Sequence, residues 1–154
     1  MYIPVSIFDR LNTQHLSLPT SIEGLGNEQI KKHPIPDKWS IRDNIAHLAR
    51  YQVVFLERLN KILSANQPVF EPYRAENDQE FPQWLFKELP ELMLDIKSHR
   101  RTIVDELSTL TLPELQRVGV HLKFGKLTVI DWTEFFVLHE AHHLFTIFRL
   151  VHTR

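Results

Sequence analysis

The chain has 154 residues, 43% of them hydrophobic and 24% charged, with a formal net charge of −1. That balance fits one globular domain, residues 1–154, with a sizeable core, and it offers no clustered basic face for nucleic acid. The absence of cysteine excludes disulfides, thiolate catalysis and cysteine-based zinc sites.

The opening MYIPVSIFDRLNTQ lacks a basic region followed by a long apolar stretch. No apolar run approaches the roughly 18 residues needed to cross a bilayer. A soluble, cytoplasmic protein with no membrane partner is the expectation. A first helix is predicted from about Pro4 to Gly24, broken or kinked at Pro19. NEQIKKHPIPDKW then reads as a loop.

The second helix has a clear start. Ser40 is a good N-cap, and Asp43 stands where an acid answers the free amides of the first turn. Ile41, Ile45, Leu48, Gln52, Phe55, Leu59 and Ile62 follow at helical spacing, and the helix ends near Ala65. A third helix is predicted over about Phe81 to Leu107 with Pro90 inside it. VGVHLKFG reads as a short extended segment. The fourth helix runs from Thr128 or Asp131 to about Val151. Four amphipathic helices joined by long loops predict an all-α fold, a four-helix bundle.

The fourth helix, DWTEFFVLHEAHHLFTIFRLV, is apolar nearly all round, which predicts that it is the most buried of the four. Trp132, Phe136, His139 and His143 share one sector at about 100° per residue. Two neutral imidazoles one turn apart can grip one cation; two buried histidines bonded to other side chains are the plain alternative.

HEAHH also matches H-E-x-x-H, the zinc-protease signature. That chemistry wants a third ligand downstream, and LFTIFRLVHTR offers no acid and only His152. Thr146 and Arg149 stand where the extended motif needs glycine and histidine. Di-iron chemistry needs E-x-x-H pairs on two helices, and Glu140 with His143 supplies one. A third ligand must therefore come from upstream, where His15, His33, His99 and His121 are candidates and His47, at the border of the second helix's apolar stripe, is the strongest.

KWSIRDNIAHLARYQ followed by FGKLTVIDWTEFFVLHEAHHLFTIFRL resembles the DinB-like (YfiT-like) metalloenzymes, over nearly the whole chain. The resemblance implies a bundle holding one divalent metal on His47, His139 and His143, with zinc or nickel as the usual ion and iron or manganese as alternatives. It also implies a homodimer and a small-molecule substrate. The chemistry would be S-transfer with a low-molecular-weight thiol, or hydrolysis. A non-catalytic metal-binding or stress-related bundle is the competing reading.

Around such a centre, Glu140 is a candidate general base or supporting group, against a solvated or inter-helix acid. His142 reads as supporting rather than ligating. Trp132, Phe136 and Tyr51 are candidate pocket walls or core. Arg42 and Arg50 are candidate anion contacts or ordinary surface arginines. Trp39 is expected to pack the loop onto the second helix.

Overall fold

A computed structural model describes residues 2–152. The chain forms α1 (Val5–Thr13), α2 (Ser17–Ser21), α3 (Asn27–Lys31), α4 (Ile41–Ser64), β1 (Val69–Phe70), α5 (Phe81–Phe86), α6 (Leu89–Thr109), α7 (Leu112–Leu115), β2 (Val118–His121), β3 (Gly125–Thr128) and α8 (Val129–His152). The fold is a helical bundle in which α4 packs against both α6 and α8, and α1 closes the remaining side against α6 and α8.

Both helices that matter most for function begin on reciprocal caps. Ser40 Oγ accepts from the Asp43 amide at 3.1 Å while Asp43 Oδ2 accepts from the Ser40 amide at 2.9 Å. Thr128 and Asp131 repeat the arrangement at the start of α8, at 3.2 and 2.9 Å. Each box satisfies amides that a helix start leaves unpaired.

Four expectations from the sequence need correction. The first predicted helix is not one helix bent at Pro19: α1 ends at Thr13, a 3-10 turn covers Gln14–Leu16, and α2 restarts so that Pro19 sits in its first turn. There its missing N–H costs nothing. The predicted loop after Gly26 contains α3, whose Gln29 side chain accepts from the Gly26 amide at 2.9 Å. The predicted third helix splits between Phe86 and Leu89, which places Pro90 in the first turn of α6; inside one continuous helix its ring would meet the preceding turn's carbonyl.

The fourth correction concerns α8. The most buried helix is α4, with fifteen buried residues to seven in α8. Leu138, Phe145 and Phe148 of α8 are 53%, 60% and 54% exposed.

The extended VGVHLKFG segment is a hairpin. β2 and β3 pair antiparallel, with His121 opposite Gly125, and β1 adds in parallel to β2 through Val69–Val120 and Phe70–His121. Gly119 lets the hairpin lie flat on the bundle: a Cβ there would stand 2.8 Å from Ile62 Cγ1 and 2.9 Å from Trp132 Nε1.

The core falls into two hydrophobic clusters, one built on Leu11, Phe55, Ile103 and Phe136, the other on Leu18, Ile45, Ile96 and Ile147. A polar layer lies between them in chain position on α4, α6 and α8 and in the turn that follows α1. Arg100 of α6 pairs with Glu140 of α8. It also donates to Gln52 Oε1 of α4 at 3.1 Å and to the Leu11 carbonyl of α1 at 2.8 Å. Gln14 donates to Glu140 Oε1 at 2.9 Å and to the Val137 carbonyl at 2.8 Å. Arg100 and Glu140 are each 1% exposed.

Removing one member of such a pair strands a buried charge. Glu140→Leu is expected to cost about 3–5 kcal/mol in urea unfolding, and Arg100→Met/Glu140→Leu together distinctly less than the sum of the single losses. An additive double mutant would show that the two side chains do not act as a pair.

Candidate metal centre

Three histidines meet where α4 faces α8. His47, His139 and His143 each offer one ring nitrogen, and these atoms all lie within 4.8 Å of one another. The i, i+4 spacing puts His139 and His143 on one face of α8, with ring centroids 4.7 Å apart. His47 enters from α4, with its centroid 5.0 Å from His139 and 4.4 Å from His143. His15, His33, His99 and His121 stay outside the group. His15 contacts Arg100 at 3.2 Å, His33 the Lys38 carbonyl at 2.8 Å, and His99 the Asp95 carbonyl at 2.8 Å. His121 is buried in the hairpin and accepts from the Lys123 amide at 3.0 Å.

Aromatic rings wall the cluster. The Tyr51 ring lies 3.9 Å from His139, and Trp39 lies 4.9 Å from His47, with Tyr73 and Phe81 at 5.6 and 6.0 Å. Trp39 therefore covers the histidines as well as packing the loop onto α4. Phe136 stacks on Phe55 at 4.4 Å, in the core, and Trp132 packs under the sheet against Phe70 at 5.3 Å.

The surroundings keep the imidazoles uncharged. Burial, helped by the neighbouring histidines, pushes His47 down to about 3 and His139 to about 2. Burial and His142 push His143 down to about 4. Burial also pushes the Tyr51 hydroxyl up to about 12. Near neutral pH all three histidines are neutral, the form that binds a metal.

The nitrogen geometry fits one small divalent ion. His47 Nε2 and His139 Nε2 stand 3.0 Å apart. Two nitrogens sharing one ion at about 2.0–2.1 Å are separated by about 2.9–3.4 Å, depending on the coordination angle. His143 Nδ1 lies 2.9 Å from Asn44 Oδ1, and Asn44 Nδ2 donates to the Ser40 carbonyl at 2.8 Å. The Nδ1 atoms of His47 and His139 are buried without a hydrogen-bond partner.

No carboxylate joins the nitrogens in that group. Glu140, between the two α8 histidines in sequence, has its oxygens engaged by Arg100 and Gln14 on the α1–α6 side. Asp78 is bound by Arg50 Nε at 2.7 Å and by the Tyr73 hydroxyl at 2.8 Å. Burial pushes its carboxyl up, but the Arg50 and Tyr73 hydrogen bonds outweigh that and hold it below the usual range. Arg42 donates to the Leu85 and Lys87 carbonyls at the end of α5. Both candidate anion-binding arginines are thus structural partners.

Asn44, Tyr73, Asp78 and Phe81 were not singled out as site residues in the sequence. Asn44 was legible as a neighbour of His47 on α4; Tyr73 and Asp78 lie in a loop with no periodicity to mark them. Beside the cluster opens a cavity of about 870 Å³, bordered by Asn44, His143, Trp39, His142 and Thr146.

Residues 11–147 match the model of the DinB superfamily. The chain belongs to that superfamily. The uncharacterized protein YuaE of Bacillus subtilis is 24% identical over 152 residues, spanning 91% of this chain and 92% of its own length. YfiT from Bacillus subtilis, described as a probable metal-dependent hydrolase with an unusual four-helix bundle topology, superposes with a TM-score of 0.79 at 18% identity, covering 94% of this chain and 83% of YfiT. The DinB-like protein YjoA of Bacillus subtilis matches with a TM-score of 0.59 at 18% identity, over 95% of this chain and 90% of YjoA. At these identities the structural matches establish the bundle fold. The DinB-like resemblance in the sequence is thereby upheld.

The lowered histidine pKa values set a pH dependence. In the unfolded chain these side chains titrate near 6.5, and in the folded chain well below it. Below about pH 6.5 the unfolded state binds more protons, so stability falls as the pH drops and is flat above. Chelator-treated protein is expected to lose several kcal/mol between about pH 6.5 and 4.5 in denaturant titrations. His47→Gln/His139→Gln should flatten the slope by about 1 kcal/mol per pH unit for each histidine removed. An unchanged slope would place the loss elsewhere.

Proposed function

We propose that the chain is a metal-dependent enzyme acting on a small molecule, with His47, His139 and His143 holding one divalent ion, zinc or nickel. The observation that carries this is a set of three neutral imidazoles with no fourth histidine and no carboxylate in the group among the described residues, and with His143 bordering a cavity. Structural zinc sites are usually closed by four protein ligands, whereas catalytic ones keep a position open. An all-imidazole set suits zinc, nickel, copper and iron. The bound ion would supply Lewis acidity, making a coordinated water or thiol a better nucleophile near neutral pH.

The remaining residues bind and exclude. Trp39, Tyr51, Tyr73 and Phe81 keep the cluster dry on the protein side. With Glu140 and Asp78 both committed to arginines, neither is free to act as the base, and the main activation would come from the ion. That suits a nucleophile whose proton the bound ion would itself make labile: water, in hydrolysis, or a low-molecular-weight thiol, in S-transfer in a cytoplasmic setting. YfiT's description as a probable metal-dependent hydrolase supports the hydrolytic branch.

Metal content measured by mass spectrometry on untagged protein is expected to be about one equivalent per chain, and His47→Ala and His139→Ala each to abolish it. Loaded protein is then assayed with activated esters and amides, and with electrophiles plus a thiol, to separate the two branches. Failure of the wild type to take up zinc, nickel, iron or manganese would end the metal-centre reading.

A homodimer belongs to the same reading. Leu138, Phe145 and Phe148 form an exposed apolar stripe on α8, and at about 100° per residue Asp131, Glu134, Arg149 and His152 lie on the same side. Two copies of α8 packed antiparallel would bring Leu138 against Phe145 and place the acids at the start of one helix opposite the basic residues at the end of the other, closing a self-complementary surface. Phe145→Asp/Phe148→Asp is expected to convert dimer to monomer in light scattering while leaving metal content unchanged. A wild type that is monomeric at 100 μM and above would remove this surface as an interface.

A further inference from the structure

Resting on the three-histidine reading, we infer that Asn44 is a positioning residue that sets the tautomer of His143 and so the affinity of the centre. A carbonyl oxygen accepts and cannot donate. The Asn44 atom 2.8 Å from the Ser40 carbonyl is therefore its amide NH₂, and the atom 2.9 Å from His143 Nδ1 is its oxygen. That oxygen also only accepts, so His143 Nδ1 carries the ring proton. In a neutral imidazole the other nitrogen, Nε2, then holds a free lone pair. The orientation is inherited from the start of α4: Ser40 caps the helix with its side chain and with its carbonyl orients Asn44.

His47 and His139 have no such partner. Their Nδ1 atoms are buried and unpaired, and their Nε2 atoms face each other at 3.0 Å. One of those Nε2 atoms must carry a proton for the contact to be attractive. For both to ligate through Nε2 that proton would have to sit on Nδ1, which has no acceptor, whereas His143 is already in its ligating form. Among the three, His143 alone is preorganised by a hydrogen bond, through a residue 2% exposed on the facing helix.

The test compares Asn44→Leu with Asn44→Asp by zinc competition against a chromophoric chelator, with thermal unfolding of the metal-free proteins alongside. Leucine removes the acceptor for His143; aspartate keeps it, replaces the donor to Ser40 with an acceptor and adds a negative charge. Weaker zinc binding by about 10–100-fold in the leucine variant is the expected result, the range seen for lost outer partners of ligating histidines, with the aspartate variant at or tighter than wild type. A merely structural role would lower the metal-free stability of both variants and leave zinc affinity unmoved. If leucine destabilises too far to purify, Asn44→Ser, whose shorter side chain cannot reach His143, replaces it with the same expectation. Wild-type affinity in the folded Leu or Ser variant, or equal loss in the Asp variant, overturns the assignment while leaving the three-histidine centre intact. Absence of zinc binding by wild type would instead sink the centre itself.

Discussion

The buried pair between Arg100 and Glu140 is the constraint on which the arrangement depends. All four sides of the bundle take part in it, since Gln52 of α4, Leu11 of α1 and Gln14 in the turn after α1 complete it. Charges this deep are costly to desolvate, and the cost is offset only when each donor and acceptor has its partner. The pair therefore selects one axial position of α8 against α6, since a slip of one turn would move Glu140 about 5.4 Å along the helix axis. The Arg100 guanidinium also lies over the Phe136 ring at 4.8 Å, which ties the polar layer to the core next to it.

That axial position matters because Glu140 follows His139 directly. Neighbouring helical residues point about 100° apart. When Glu140 faces α6, His139 and His143 face α4, where His47 meets them. The letters of HEAHH thus divide between two jobs. The acid holds the scaffold, and two of the three histidines gather at the centre, while His142 faces the cavity with its ring edge-on to His143 at 5.3 Å. The motif's likeness to a zinc protease fails physically here, because a general base must reach the metal-bound nucleophile and this carboxylate is locked to an arginine on the opposite side.

Much of this was legible. Ser40 and Asp43 announced α4, the H-x-x-x-H pair marked a candidate site on α8, and the resemblance added His47, which the fold brings within 4.8 Å of both. That pair is half-buried rather than buried, on a helix with one open face. A ring of apolar residues around α8 predicts burial on all sides, yet Leu138, Phe145 and Phe148 stand more than half exposed, uncovered by the other described elements. Periodicity tells which residues want cover and is silent on whether the same chain supplies it. The Arg100–Glu140 pair was out of reach for a related reason: Arg100 sits on α6 among Lys97 and Arg101 and looks like one more solvated cation. Its burial depends on Gln14 and Gln52, far away in sequence. The parallel pairing of the two-residue β1 with β2 likewise joins segments about fifty residues apart, with no local pattern to signal it.

The same electrostatics bears on what the centre would prefer to bind. Three imidazoles are a neutral donor set, so a divalent ion held by them would keep its full charge in a site walled by aromatic rings. Asp78 and Glu140 would offset little of it, since Asp78 is spent on Arg50 and Glu140 on Arg100. In a low dielectric an uncompensated dication draws anions strongly. The open positions would therefore favour an anionic ligand, hydroxide or thiolate, over its protonated parent, and that preference is the same thing as a lowered pKa. A bundle that holds Glu140 and Asp78 on arginines would leave the charge of such an ion available to whatever enters from the cavity.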